Sequence, residues 1–141
     1  MRRTFTYDDL LEMKDAGALT ASAAATVDGV AQIVDVGSGL FEGNLVVDVS
    51  AIEVDTATDK YEIRVEGSTK SDFSNTYTQL ASLMLGHKTA ISGDVTSTTG
   101  RYILPFTNEK NGVIYRYLRV YVIIAGTIAT GINFTAHIGK R

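Results

Sequence analysis

Cysteine and tryptophan are absent from the 141 residues, proline occurs once and histidine twice. Without cysteine there is no disulfide, no thiolate metal site and no thiol nucleophile. The two imidazoles, His87 and His137, offer little material for a metal centre or a base-assisted nucleophile. Neither stands in a His-x-His or Gly-x-Ser-x-Gly context. His87 follows Gly86 and reads as a turn histidine, and His137 lies on the strand face opposite Ile138, as a solvated or interface residue. Basic residues number 13 against 16 acidic ones, for a net charge of -3. The clustered basic excess that neutralises phosphates is missing, so no nucleic-acid partner is expected. The longest nearly apolar run, residues 120–132, is broken by Gly126, Thr127, Thr130 and Gly131. It is shorter than the roughly 20 residues of a spanning helix, and no membrane partner is expected. Asp8, Asp9, Glu12 and Asp15 interrupt the place where a signal peptide would carry its apolar stretch, so Arg2 and Arg3 are not read as the start of one.

What remains is ordinary globular material: 45% hydrophobic and 21% charged residues, in a length that suits one domain. Two parts are expected, an N-terminal arm or short helix over residues 1–28 and a β domain over 29–141. Helical spacing appears only at Tyr7, Leu10, Leu11 and Lys14, with Thr6 as the cap and Asp9 three residues on. Residues 16–26 are Ala-, Ser- and Thr-rich with no large side chain after Leu19, which predicts an extended arm that needs a surface to lie on.

From Gly29 the period changes to two. Tyr61, Ile63 and Val65 alternate with Glu62, Arg64 and Glu66, so residues 60–67 form a strand with one buried face. Leu45, Val47 and Val49 change parity before Ile52 and Val54, which predicts a β-bulge near Ser50 or Ala51. Further strands are expected over residues 30–36, 79–85, 89–95, 101–106, 113–124 and 129–138, with turns at Gly37-Ser38-Gly39 and Asn111-Gly112. Pro105 cannot donate to a ladder and so ends or edges its strand. About eight strands without intervening helices define an all-β chain, read as a jelly-roll-like β-sandwich.

Chemistry-bearing patterns are scarce. The carboxylates are scattered, and Asp8 and Asp9 do not face each other on a helical turn. Residues 69–72 and 108–112 lack the ligand ladder of a calcium loop, and residues 98–100 lack a phosphate-binding pattern. No catalytic, cofactor or metal residue is assigned, and the chain is not read as an enzyme. The most informative stretch is residues 114–124. Leu118, Val120, Val122 and Ile124 share the inward parity, while Tyr115, Tyr117, Arg119 and Tyr121 form an aromatic, cationic stripe on the other face. Tyr and Arg are enriched at interface hot spots, but a strand covered on both faces within one subunit uses tyrosine in the same way.

The segments GVAQIVDVGSG, LVVDVSAIEV, KYEIRVEGSTKSDF and GRYILPFTNEKNGVIYRYLRVYVIIAGTIATGINFTAHIG, over most of residues 29–139, follow an order and spacing that resembles the small capsid cement or decoration proteins of tailed bacteriophages. The most specific part is Gly100-Arg101-Tyr102 with Pro105-Phe106-Thr107-Asn108, followed by residues 115–119. The resemblance implies a jelly-roll homotrimer, made in the host cytoplasm, that binds the major capsid protein on the outer surface of the virion and stabilises the shell without any cofactor. On that reading the contact residues are Arg2, Arg3, Tyr7, Leu10 and Leu11 of the arm and the stripe of Tyr115, Tyr117, Arg119 and Tyr121. The competing expectation is a carbohydrate- or receptor-binding β-sandwich of a phage tail, working through exposed Tyr and Asn side chains.

Overall fold

The computed structural model describes residues 11–74 and 76–140. Six long strands carry the architecture: β7 (Glu42–Ile52), β8 (Lys60–Ser68), β9 (Thr78–Gly86), β10 (Gly100–Thr107), β13 (Tyr117–Ala125) and β14 (Ile132–Lys140). Ahead of them come short strands β1 (Glu12–Lys14), β2 (Ala18–Leu19), β3 (Ala23–Ala24), β4 (Thr26–Val27), β5 (Val30–Ala31) and β6 (Val34–Asp35). A four-residue helix, α1 (Lys88–Ile91), follows β9, and the hairpin β11 (Glu109–Lys110) with β12 (Val113–Ile114) follows β10.

The long strands form two antiparallel sheets. The first has the order β1-β14-β7-β10, with β2 also on β14, and the second has the order β3-β13-β8-β9, with β6 also on β13. They pack as a sandwich because each supplies one apolar face. Leu45, Val47, Phe134, Ala136 and Ile138 of the first meet Tyr61, Ile63, Val65, Leu118, Val120 and Val122 of the second in one buried cluster. The parity change in β7 is a bulge at Ser50. Asn133 pairs with Ala51 and Phe134 with Val49, which leaves Ser50 out of the register, its Oγ donating to Asn133 O at 3.2 Å, and returns Ile52 to the core. Pro105 lies in β10, the edge of the first sheet, where its missing N–H breaks no ladder.

The N-terminal segment is expected as an arm or a short helix, and its described part enters strand at Glu12. Tyr7 and Leu10 lie outside the described residues, but Glu12–Lys14 is strand, paired with β14. Tertiary contacts override the helical spacing here. Met13 is fully buried, and Lys14 Nζ donates to the carbonyls of Asp15, Gly17 and Phe134 at 2.9, 2.8 and 2.9 Å while lying 4.7 Å from the Phe134 ring centroid. Residues 16–26 are extended as expected, and the surface that they lie on is the chain's own sandwich: β2 on β14 and β3 on β13. A tight hairpin, β4 to β5, turns at Asp28-Gly29, both with positive φ.

Two further expectations are corrected. Residues 89–95 are no strand. His87 caps α1, its Nδ1 accepting from the Thr89 N–H at 3.1 Å, and Ser92 ends the helix in the left-handed region. The expected strand over residues 113–124 is interrupted at Tyr115 and Arg116, which ends one hairpin arm and restarts the pattern at Tyr117.

Candidate functional site

Inward packing of Leu118, Val120 and Val122 turns the alternate residues of β13 outward. Arg119 sits opposite Glu66 on β8, and its Nε donates to Glu66 Oε1 at 2.9 Å. The guanidinium lies 4.5, 5.0 and 5.3 Å from the ring centroids of Phe73, Tyr77 and Tyr121. Arg119 therefore has its charge matched by a buried carboxylate and its planar faces covered by rings. Phe73 reaches this position from the connection between β8 and β9, in a left-handed conformation with φ 56° that a bulky side chain adopts only when packing enforces it.

Around this centre the outer face of the second sheet is polar. Arg64, opposite Tyr121, donates from Nη2 to Glu62 Oε2 at 3.2 Å, and Ser82 Oγ donates to Glu62 Oε1 at 2.9 Å. The Arg64 guanidinium holds the Glu62 carboxyl below its ordinary pKa range. Arg116 forms a two-pronged pair with Asp35, at 2.8 and 2.9 Å, and stacks 5.6 Å from the Tyr117 ring. The most open aromatic ring on this side is Tyr77, 57% exposed.

The structure brings Tyr117, Arg119 and Tyr121 together as one face, and it separates Tyr115 from them. The interruption before β13 reverses the parity of Tyr115, which packs over Gly67 from the core side. A Cβ on Gly67 would lie 2.8 Å from the Tyr115 Cβ and 2.8 Å from Leu80 Cδ1. Leu11 is half-buried against the core. Arg2, Arg3, Tyr7 and Leu10 lie outside the described residues.

The outer face of the first sheet differs. His137, expected as a solvated or interface residue, is buried within the chain in a row with Val46 and Ile103, and burial lowers its pKa. An open cleft of about 360 Å³ at the margin of this sheet is lined by Asp48, Ser50, Arg101 and Thr135. Its two charged groups are spent on each other, with Arg101 Nε and Nη2 donating to Asp48 at 2.7 and 3.1 Å. A second cleft, about 410 Å³, runs between β9 and residues 91–98 and is largely aliphatic. Among the described residues no three His, Asp or Glu side chains gather as a metal site, and no helix is long and apolar enough to cross a membrane.

Sequence reasoning missed the groups that organise the two ends of the sandwich. At one end Glu53 Oε2 accepts from the N–H groups of Ala129, Thr130 and Gly131 at 2.8, 2.8 and 2.9 Å. Buried Asp59 accepts from Thr56 Oγ1, Thr56 N and Thr127 N at 2.5, 3.1 and 3.2 Å. These hydrogen bonds hold both carboxyls below their ordinary pKa values. At the other end buried Asn108 donates from Nδ2 to the carbonyls of Gly39 and Tyr115, at 3.0 and 3.1 Å, and its Oδ1 accepts from Phe41 N at 2.8 Å. Only the Thr56-x-x-Asp59 spacing, a turn signature, is readable in advance.

Comparison with protein-family models finds no match, and comparison with curated proteins finds none.

Proposed function

We propose that the chain is a structural, non-catalytic protein that coats the outer surface of a tailed-phage capsid as a jelly-roll homotrimer and stabilises the shell. The resemblance in segment order motivates this reading, and one observation supports it above others. The Tyr117, Arg119 and Tyr121 face is prearranged around a neutralised arginine, with Tyr77 open beside it. Rigid aromatic surface of this kind loses little conformational entropy on contact, which suits a protein whose work is adhesion.

Such a protein acts by adding buried area across the joints between shell subunits, so that outward pressure must break more contacts. Three linked copies multiply weak contacts through effective concentration. The strapping of β1–β3 onto the sandwich supports a rigid body as the adhesive unit. Light scattering followed by co-sedimentation with expanded, undecorated capsids tests the reading. A mass of three chains and saturable pelleting are expected. A monomer that stays in the supernatant and binds a glycan array would replace this reading with the carbohydrate-binding one.

A further inference from the structure

Of the five asparagines only Asn111 precedes a glycine. An Asn-Gly pair carries a reaction of its own, because the glycine nitrogen has no side chain beside it and, once deprotonated, attacks the asparagine amide carbon. Asn44 and Asn108 are buried, whereas Asn111 and Gly112 are exposed. A Cβ on Gly112 would meet nothing within 4 Å, and among the described residues no partner holds the Asn111 side-chain amide. Both reacting groups are therefore open to water.

The fold nevertheless aims the nucleophile elsewhere. Asn111 and Gly112 have φ of 53° and 81°, the left-handed pair that a two-residue hairpin loop requires, and Lys110 and Val113 pair across them. The base of the hairpin is closed by Tyr115 N donating to Asn108 O at 2.8 Å and by Asn108 Nδ2 donating to Tyr115 O at 3.1 Å. Within this fixed loop the Gly112 N–H donates to Glu109 Oε1 at 2.7 Å. The lone pair that deprotonation exposes lies along the N–H direction, so an N–H that points at Glu109 does not point at Asn111 Cγ. A carboxylate in that place also disfavours the negative nitrogen that attack requires. The hydrogen bond must break before the ring closes, and its free energy adds to the barrier.

We propose that Asn111 is a site of spontaneous deamidation and that Glu109 guards it. In the reaction Gly112 N gives its proton to solvent and bonds to Asn111 Cγ, the Cγ–Nδ2 bond breaks, and ammonia leaves with a proton taken from water. Water then opens the cyclic imide, at Cγ to give aspartate or at the main-chain carbonyl of residue 111 to give isoaspartate. Either product adds a negative charge beside Glu109. Isoaspartate also lengthens the main chain of the loop, which breaks the pairing of Lys110 with Val113.

The test incubates the full chain at neutral pH and follows, by mass spectrometry and an isoaspartate assay, the tryptic fragment cut after Lys110 and Arg116. Folded wild type is expected to convert about tenfold more slowly than the guanidinium-unfolded chain, and folded Glu109→Ala about tenfold faster than folded wild type. Glu109→Gln keeps the side-chain oxygen as an acceptor and is expected between the two. Folded wild type that converts as fast as the unfolded chain, or Glu109→Ala that converts no faster than wild type, overturns the guard. Equal acceleration in the Ala and Gln variants assigns the effect to a loosened hairpin and overturns it as well. An unfolded chain that keeps Asn111 intact overturns the site itself.

Discussion

The main chain of Leu19 crosses directly over Gly131, so closely that a Cβ on Gly131 would collide with the Leu19 carbonyl. Gly131 also has φ 74°, which disfavours any side chain, and its N–H is held by Glu53. Gly131→Ala should therefore destabilise the fold by about 2 kcal/mol or more. It should also loosen residues 16–24 from β14. Urea unfolding reads the first effect and limited proteolysis within residues 16–24 reads the second. Wild-type protection would show that the crossing does not hold the segment.

Glu53 and Asp59 set an acid limit on stability. Their hydrogen bonds favour the charged form in the folded chain, so the folded pKa lies below the unfolded one. The stabilisation is complete above the ordinary carboxylate range and is lost as pH falls through it toward the lowered values. Asp59→Asn should flatten this acid limb in melting temperature against pH. Tyr61 sets the opposite limit. Burial, with Glu53 and Asp59 nearby, raises its pKa to about 12, while its hydroxyl donates to Glu53 O at 2.7 Å. Its contribution is complete below the ordinary tyrosine pKa, near 10, and is lost as pH rises toward about 12. Tyr61→Phe should remove that alkaline loss.

Arg119 and Glu66 should behave as one unit. Removing the arginine alone strands a buried carboxylate and uncovers Phe73 and Tyr77, so Arg119→Ala should cost about 3 kcal/mol. The double variant Arg119→Met/Glu66→Gln should recover a large part of that loss. Denaturant melts of the four-member cycle measure the coupling, and near-UV circular dichroism reports the tyrosines. Additive losses would show that the pair and its rings are independent.

Asn108 joins two segments through one amide. Asn108→Ala leaves the carbonyls of Gly39 and Tyr115 without this donor and should destabilise by about 2 kcal/mol. Hydrogen exchange should rise at Phe41, whose N–H loses its acceptor, and remain low at buried Val120 and Val122 in the middle of β13.

Regular alternation made much of the sandwich legible. Tyr61, Ile63 and Val65 announce β8, and the parity slip between Val49 and Ile52 announces the bulge at Ser50. Local spacing failed where a distant partner decides. Lys14 continues a helical pattern but is claimed by three carbonyls, one of them 120 residues away at Phe134. Residues 89–95 carry no sign that His87 will cap a helix. Tyr115 shares the parity of Tyr117 in the sequence, and only the break at residues 115 and 116 turns it toward Gly67. Arg119 was legible as outward, but Phe73 and Glu66, which enclose it, come from another strand and its connection.

The most direct measurement of the proposed role is electron cryomicroscopy of expanded, undecorated phage capsids incubated with the chain. The account predicts sandwich-shaped density in groups of three on the outside of the shell. Bare shells, with the chain remaining in solution as a monomer, would contradict it.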